Sequence, residues 1–326
     1  MKYSMLDLSP VAEGQSTQTA LANTLDLARN AEALGYHRFW LAEHHNMPGI
    51  ASAATAVVIG YVAGGTKSIR VGAGGVMLPN HAPLVIAEQF GTLASLYPDR
   101  IDLGVGRAPG TDMATARALR RNMDASDQFP EDVAELVGYF ADSDGKATIR
   151  AVPGEGTKVP VWSLGSSLYG AQLAAYFGLP YAFASHFAPT MLTEAIHTYR
   201  STFRPSKTLE KPHFMLLAGV CGADTDAEAE FLRSSQILAF ARLLTGQAGK
   251  LPLPSHDLSH IPKPLRAQID HSLSCAAIGS PATLRTQLGK LIETHKPDEI
   301  MLTGMIHDHA ARLHSFDLAA QAMQSL

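Results

Sequence analysis

The chain has 326 residues, of which 46% are hydrophobic and 17% charged, and its formal net charge is -4. This composition excludes a disordered chain, and the lack of a basic excess argues against nucleic acid as a partner. Two cysteines, Cys221 and Cys275, cannot form a disulfide framework, so we expect a reducing compartment, the cytoplasm. Asp7 lies where a signal peptide would be apolar, and the apolar run 50–65 is too short to cross a membrane.

Short strand-like runs alternate with longer amphipathic runs along the whole chain. The first strand is predicted near Tyr3–Leu6, and the helix after it covers Thr17–Leu34, where apolar residues recur at helical spacing. Gly35 follows as a helix-ending glycine, and Arg38–Glu43 is the second predicted strand. Further strands are predicted near Ile69–Gly72, Ile101–Val105, Val161–Leu164, Tyr181–Ala184, Phe214–Cys221 and Glu299–Thr303. Further helices are predicted near Ala51–Ala63, Pro83–Tyr97, Pro130–Phe140, Ala171–Phe177, Pro189–Phe203, Ala227–Leu244, Pro281–Thr294 and Asp308–Met323.

This alternation predicts the fold class. Each predicted strand is short, apolar on both faces and followed by a helix, as is typical of parallel strands covered by crossover helices. Eight such strands are the number for a (β/α)8 TIM barrel. The alternative is an open, doubly wound sheet divided between two domains. Because no Pro-, Ser- or Gly-rich linker divides the chain, we favour a single barrel domain over residues 1–326.

One region, from Thr245 to Ala276, does not follow this pattern. It contains Gly246 and Gly249, four prolines and three histidines. We interpret residues 246–275 as an insertion before the last βα unit. A structureless stretch of this length inside a compact domain is usually a lid over an active site or a disordered spacer, and we expect a lid.

In a TIM barrel the catalytic residues follow the carboxyl ends of the strands. Polar residues and glycines with this placement are 43–46, Gly74-Gly75, Asn80-His81, Gly106-Arg107, Gly165–Ser167, Ser185-His186 and 307–309. His44 and His45 are neighbours on a strand and point to opposite faces, so they are a poor chelating pair. His256 and His260 have helical spacing but lack the glutamate of a helical zinc motif. We therefore predict no metal site.

An anion site is predicted after the fifth strand. Gly165, Ser166 and Ser167 lie between a strand and a helix, so free backbone N–H groups and two hydroxyls can converge on an anion. Arg107 can add a bidentate charge if strands four and five are neighbours. The alternative interpretation is an ordinary turn, with Arg107 in a surface ion pair.

Four motifs occur in the order found in a known family. Leu41–His45, Val71–Pro83, Ala87–Phe90 and Asp99–Arg107 resemble the corresponding segments of the bacterial luciferase-like flavin monooxygenases. The resemblance is strongest over residues 1–110 and continues weakly through 161–180 and 279–281, whereas the insertion does not match well. It implies a (β/α)8 barrel that binds reduced FMN, usually delivered by a separate NAD(P)H-dependent flavin reductase. The reaction implied is oxidation of a small organic substrate by O2 through a flavin C4a-hydroperoxide.

The same resemblance implies roles for the residues at the strand ends. His44 takes the position of the catalytic histidine beside the flavin, and Arg107 with Gly165, Ser166 and Ser167 takes that of the phosphate site. Gly74-Gly75 occupies the place of a non-prolyl cis peptide beneath the isoalloxazine ring, where two glycines let the backbone approach a flat ring.

Two positions depart from the luciferases proper. Those enzymes have Ala-Ala in place of Gly74-Gly75 and a cysteine in place of Gly106. Both differences remove side-chain bulk near the ring, so the chain is closer to the broader group of luciferase-like oxidoreductases.

The resemblance also favours a homodimer through the helices at 51–63 and 83–97, the first of which has a small-residue face that includes Gly60 and Gly64. Two functional alternatives remain. One is hydride transfer with the deazaflavin coenzyme F420, and the other is a flavin-binding partner subunit without turnover.

Overall fold

The computed structural model describes residues 1–108, 113–119, 128–142 and 145–326. The strands in these ranges are β1 Lys2–Asp7, β2 Arg38–Leu41, β3 Arg70–Met77, β4 Ile101–Gly106, β5 Val161–Gly165, β6 Tyr181–Phe183, β7 Phe214–Gly222, β8 Ala276–Gly279 and β9 Glu299–Thr303. The helices are α1 Thr17–Ala33, α2 Thr55–Gly65, α3 Pro83–Leu96, α4 Met113–Ala118, α5 Phe129–Phe140, α6 Leu168–Phe177, α7 Leu192–Thr202, α8 Asp226–Leu244, α9 Lys263–Ser272, α10 Pro281–His295 and α11 His309–Gln324. No helix among the described residues is both long enough and apolar enough to cross a membrane.

The strands close into a parallel barrel. Each of β1 to β6 pairs with the next strand in the chain. β7 then pairs with β9, and β9 pairs with β1, which closes the ring. This ring of eight strands confirms the predicted (β/α)8 TIM barrel, and the β6–β7 and β9–β1 pairings exclude the open sheet. All eight strands predicted from the sequence are the strands of this ring.

An additional strand, β8, lies outside the ring. It pairs in parallel with the last four residues of β7, from Gly219 to Gly222. The sequence pattern did not predict β8, because its four residues are too few to show a period and two of them are alanines, which have low strand propensity.

The barrel interior is filled by side chains. One apolar cluster joins Leu6, Trp40, Trp162, Met215 and Met301, which come from five different strands. The rings of Trp40 and Trp162 meet at 5.2 Å between centroids, although β2 and β5 are not neighbours in the sheet. These residues therefore point inward, and the alternate residues of β2 pack against the surrounding helices.

A buried polar network, here called the base network, closes the N-terminal end of the barrel. It consists of Arg38, Arg70, Asp102 and Glu299. Arg38 Nη1 lies 2.5 Å from Asp102 Oδ2, and its Nε lies 3.1 Å from Glu299 Oε1. Arg70 Nη2 lies 2.6 Å from the other oxygen of Asp102. Both carboxylates are fully buried, and each contacts three polar or charged groups: Arg38, Arg70 and Trp40 around Asp102, and Arg38, Ser4 and His213 around Glu299.

The structure corrects one feature of the predicted insertion at 246–275. This segment is not structureless, because it contains helix α9, whose Ile269 packs against Ile237 of α8. Pro262 is the N-cap residue of α9 and Pro264 lies in its first turn, where proline is tolerated. Near the start of the segment, Leu251 N donates to Val11 O at 2.9 Å, next to the end of β1.

Candidate functional site

The residues after β2 separate into two environments. Arg38 and Trp40 point into the barrel, and Ala42 belongs to the interior cluster, so His44 continues this inward series two positions further along the chain. His45 instead lies against Glu43, with its Nε2 2.7 Å from Glu43 Oε1. The two adjacent histidines therefore face different groups, as the strand parity predicts.

A second histidine, His186, follows β6 and lies close enough to His44 for the two rings to interact electrostatically. The strands β2 and β6 lie on opposite sides of the barrel, because three strands separate them in either direction around the ring. The Nδ1 atoms of His44 and His186 are both buried, and neither has a hydrogen-bond partner among the described residues. We call this pair the mouth histidines.

Burial determines the charge of the mouth histidines. It lowers the pKa of His186 to about 3, and the nearby charge of His44 lowers it further. Burial also lowers the pKa of His44, against the opposing charge of Glu43. Both rings are consequently neutral at pH 7. A neutral imidazole in this place can form a hydrogen bond with a ligand without the cost of burying a charge, and its unprotonated nitrogen can accept a proton.

Glu43 organises the opposite side of the β2 end. Its Oε1 lies 2.7 Å from His45 Nε2 and 2.8 Å from His81 Nε2, and its Oε2 accepts the Met77 N–H at 3.2 Å. Burial raises the pKa of Glu43, but the hydrogen bonds and charges of His81 and His45 outweigh it, so the net pKa is lowered. The cluster joins the end of β2 to β3.

These three side chains are of metal-ligating types, and their ligand atoms lie within 4.8 Å of one another. The two hydrogen bonds to one carboxylate oxygen account for the arrangement without an ion, and we assign none. The sequence did not predict the cluster of Glu43, His45 and His81, because His81 follows a different strand. The Glu-x-His spacing after β2 was the one sequence feature that indicated a contact between Glu43 and His45.

The peptide bond between Gly74 and Gly75 is cis, in line with the resemblance. The structure adds a second reason for glycine at Gly75. A Cβ on Gly75 would lie 2.6 Å from the backbone oxygen Gly104 O, whereas a Cβ on Gly74 would lie 2.9 Å from Leu6 Cδ1, the end of a flexible side chain. The packing of the barrel therefore favours glycine most strongly at Gly75.

Arg107 and the loop Gly165–Ser167, here called the Gly-Ser loop, are neighbours in the structure. β4 pairs with β5 so that Gly106 lies beside Leu164, which places Arg107 next to Gly165. The Arg107 guanidinium lies over the ring of Tyr169, 4.0 Å from its centroid, in the first turn of α6. The condition set for an anion site, that strands four and five be neighbours, is met.

The Gly-Ser loop leaves donors at the start of α6. Ser167 is the N-cap residue, but its side chain makes no capping hydrogen bond, and Ser166 and Ser167 are both exposed. The first N–H groups of a helix carry partial positive charge and lack partners within the helix. Together with Arg107, they can hold a phosphate or another anion at the barrel mouth.

Comparison with known proteins assigns the family. Residues 1–295 match the model of the luciferase-like monooxygenases. A protein of Escherichia coli strain K12 described as a luciferase-like monooxygenase is 54% identical over 326 residues, covering 99% of this chain and 97% of that protein. The chain belongs to the luciferase-like monooxygenase family. It is an oxidoreductase of the monooxygenase class.

Solved structures of other proteins share the fold of this luciferase-like monooxygenase. The crystal structure of apo-MsnO8 superposes with a TM-score of 0.87 at 36% identity, covering 99% of this chain and 98% of that one. Two more distant structures, at 16% and 15% identity, show the fold alone, with TM-scores of 0.73 and 0.72. They are the oxygenating constituent of 3,6-diketocamphane monooxygenase from Pseudomonas putida with FMN, and an F420-dependent secondary alcohol dehydrogenase with an F420-acetone adduct.

A cavity of about 450 Å³ lies at the other end of the barrel, lined by residues that include Tyr3, His37 and Arg70. In this fold the active site forms at the carboxyl ends of the strands, and these residues lie at the opposite end. The candidate site of this luciferase-like monooxygenase is therefore the mouth, between the mouth histidines, the cis peptide and the Gly-Ser loop.

Proposed function

We propose that this chain is an FMN-dependent, two-component monooxygenase that takes reduced FMN from a separate NAD(P)H-dependent flavin reductase. The observation that carries the proposal is the convergence, at one barrel mouth, of an anion site and a buried histidine nitrogen, His44 Nδ1, for which residues 1–108, 113–119, 128–142 and 145–326 provide no hydrogen-bond partner. When bound, reduced FMN supplies the electrons that activate O2 for oxidation of a small organic substrate.

The residues at the mouth fit a phosphorylated flavin. Arg107 and the N–H groups after the Gly-Ser loop supply positive charge and hydrogen-bond donors for the phosphate. The cis Gly74-Gly75 peptide lies in β3, the strand that pairs with β4. The protein thus provides an anion site on β4 and β5 beside the position assigned to the ring.

His44 is the proposed catalytic residue. Its Nδ1 is buried, and its pKa is lowered by burial, so it is neutral at pH 7 and able to accept or return a proton. The apolar interior below it, which includes Trp40 and Ala42, keeps bulk water away from one side of the reaction.

The second candidate function is hydride transfer with F420, favoured by the shared fold of the F420-dependent alcohol dehydrogenase. Since F420 also carries a phosphate, Arg107 does not discriminate between the two cofactors. Absorbance titrations with reduced and oxidised FMN and with F420 do so directly. Tight binding of F420 without binding of FMN would replace the first proposal with the second.

A catalytic enzyme is distinguished from a non-catalytic flavin-binding subunit by turnover. With FMN, NAD(P)H and an added flavin reductase, an active enzyme increases substrate-dependent oxygen consumption above that of the reductase alone. A chain that binds FMN and leaves oxygen consumption unchanged with a panel of small substrates would be the partner subunit.

The anion site is tested by Arg107→Ala. We expect FMN binding to weaken about 10- to 100-fold, since a charged hydrogen-bonded contact contributes about 1.5–3 kcal/mol. Riboflavin, which lacks the phosphate, should bind almost equally to both proteins. Arg204→Ala is the matched control, because Arg204 lies over the Tyr176 ring at 4.6 Å, near the other end of α6. Equal losses for FMN and riboflavin in Arg107→Ala would contradict the assignment.

We also propose a homodimer through α2 and α3, on a different face from the one that small residues suggested. Gly60 and Gly64 face Leu93 and Tyr97 of the same chain, and the Tyr97 hydroxyl donates to Gly60 O at 3.1 Å. The outer face of α2 instead exposes Val57 and Tyr61, one turn apart, at 73% and 48%.

The dimer is tested by sedimentation at micromolar concentration. Tyr61→Glu should convert a dimer into monomers, because it places a charge in an apolar interface. A wild-type protein that sediments only at 34.8 kDa would exclude the dimer.

The segment 246–275 remains a proposed lid. Leu251 bridges to Ala12 beside the end of β1, so the segment already contacts the mouth side of the barrel. Bound FMN should then protect the segment from limited proteolysis. Equal cleavage rates with and without FMN would show that no flavin-dependent lid exists.

A further inference from the structure

His186 has no role in the function argued so far, although its position mirrors that of His44. His44 follows Ala42, and His186 lies four residues beyond Ala182; both alanines belong to the cluster that fills the barrel interior. The two histidines come from strands on opposite sides of the ring. The mouth of the barrel therefore lies between them.

The ring of His186 is held in place by its surroundings. Ala184 N donates to Gly165 O at 2.9 Å, and Ala188 N donates to Ala184 O at 3.1 Å, which fixes the turn that carries the histidine. The Phe187 ring packs edge-on against the imidazole at 4.8 Å between centroids. A fixed ring with an unsatisfied atom is typical of a preorganised binding group.

The unsatisfied atoms point to a ligand. A buried polar atom without a partner is costly, and most buried polar groups in folded proteins are paired. Here two histidine nitrogens, one on each side of the mouth, lack partners among the described residues. One hydrogen-bonding group placed between them would satisfy both.

The charge of the pair selects the kind of ligand. Burial lowers the pKa of both rings, so neither offers a positive charge at pH 7. A carboxylate between two neutral rings would lose its hydration without gaining a counter-charge, whereas an uncharged polar group loses much less. This differs from the Gly-Ser loop, where Arg107 supplies a positive charge.

We propose that His186 is a second binding residue of this site, and that His44 and His186 hold one uncharged polar group of the substrate, a carbonyl or hydroxyl, between their Nδ1 atoms. This inference rests on the proposed function, since it assigns the substrate to the same mouth as the flavin. It defines the substrate class as small molecules that present an uncharged oxygen at this point.

The test uses acetamide and acetate, which have nearly the same shape and differ in charge, as probes of the FMN-loaded enzyme labelled with ¹⁵N. Acetamide should shift the ring-nitrogen resonances of His44 and His186 with one common midpoint, and acetate should shift neither at the same concentration. Shifts of one ring only, or equal binding of acetate, would overturn the inference.

Three variants extend the test. His186→Leu should raise the acetamide midpoint about 3- to 10-fold, since it removes one hydrogen bond, and its melting temperature should equal or exceed that of wild type. His186→Asn should restore the midpoint to within about 2-fold, because its amide can occupy the position of Nδ1. His45→Asn, on the Glu43 side, is the control and should leave the midpoint unchanged.

FMN affinity separates this inference from the proposed function. It should be the same in wild type, His186→Leu and His186→Asn, because the phosphate site lies on β4 and β5. An unchanged acetamide midpoint in His186→Leu, with FMN bound normally, overturns the histidine pair and leaves the flavin proposal standing. Failure of wild type to bind either flavin-type cofactor overturns the proposed function itself.

Discussion

The two ends of the barrel bury polar side chains in opposite ways. At the N-terminal end, Arg38, Asp102 and Glu299 neutralise one another at distances of 2.5 to 3.1 Å. At the mouth, the Nδ1 atoms of His44 and His186 are buried and find no partner in the part of the chain that the structure describes, and burial keeps both rings uncharged at pH 7. The base network is satisfied by the chain's own residues, whereas we propose that a ligand completes the hydrogen bonds of the mouth histidines.

This difference separates stability from function within one barrel. Removing one partner from a complete buried network leaves a charge uncompensated and destabilises the fold. Removing an unsatisfied polar group from the mouth relieves a cost and affects only what the site does. The following predictions test that separation, from the largest expected effect to the smallest.

The largest effect is expected for His44→Ala. Because the phosphate site lies on other strands, the variant should still bind FMN, but product formation should fall about 10²- to 10⁴-fold with the loss of the proton-handling group. The electrons of reduced FMN should then reduce O2 to hydrogen peroxide, and the amount of peroxide formed per NAD(P)H consumed measures this loss. His45→Ala should lower stability more than coupling, because His45 contacts Glu43. Normal product yield in His44→Ala, with loss in His45→Ala, would reverse the roles.

At the base, Asp102→Ala should lower the free energy of unfolding by about 3–5 kcal/mol, because it removes the carboxylate that neutralises both the buried Arg38 and the half-buried Arg70. Urea denaturation measures this loss. Asp270→Ala is the control. It breaks an exposed pair with Arg266 and should cost less than about 0.5 kcal/mol. Turnover per folded Asp102→Ala molecule should match wild type, and a selective loss of turnover would contradict the separation of the two ends.

The pH dependence of stability should also differ between the two ends. The pKa of His186 is about 3 in the folded protein and 6.5 when unperturbed, so the unfolded state binds more protons between these values. With respect to this group the folded state is most stable above pH 6.5, where the ring is neutral in both states, and stability is lost as pH falls toward 3, at about 1.4 kcal/mol per pH unit.

Glu299 acts in a lower window. Burial raises its pKa, but the contact with His213, whose Nε2 lies 3.6 Å from Glu299 Oε2, and the charge of Arg38 outweigh this and lower it from 4.5 to about 2. Its contribution is therefore present above pH 4.5 and lost between there and about pH 2. Between pH 6 and 5, His186→Leu should reduce the slope of unfolding free energy against pH by about one proton, and Glu299→Gln should not change it. The same slope in wild type and His186→Leu would refute the lowered pKa.

The smallest effect is expected at Gly106, where the luciferases proper have cysteine. A Cβ there would lie 3.8 Å from Met77 Sδ, an ordinary contact, so Gly106→Ala should change stability by less than about 0.5 kcal/mol. At Gly104, deeper on the same strand, a Cβ would lie 2.4 Å from Ala73 O. Gly104→Ala should cost about 1–3 kcal/mol by overpacking. Equal melting temperatures for the two variants would contradict the difference in space.

Local sequence patterns were enough to predict the barrel and part of the candidate site. The eight ring strands and their helices are visible because hydrophobic periodicity and helix-ending glycines are local properties of the chain. The placement of Arg107 beside the Gly-Ser loop also followed, since consecutive parallel strands in a barrel are neighbours. Short or unusual elements did not follow. β8 is too short to show a period, and α9 begins with prolines that resemble a loop.

Only the tertiary structure decided which polar groups meet. The alternation of side chains along a strand predicts that His44 and His45 point to opposite faces. Which of them points to the barrel interior is shown by Trp40 and Ala42, which pack against residues of distant strands. His186 interacts electrostatically with His44 across the ring, and His81 contacts Glu43, which lies 38 residues earlier in the chain. These contacts depend on strand order, barrel closure and burial. They join side chains that are far apart in the sequence, so the sequence around one of them does not predict the other.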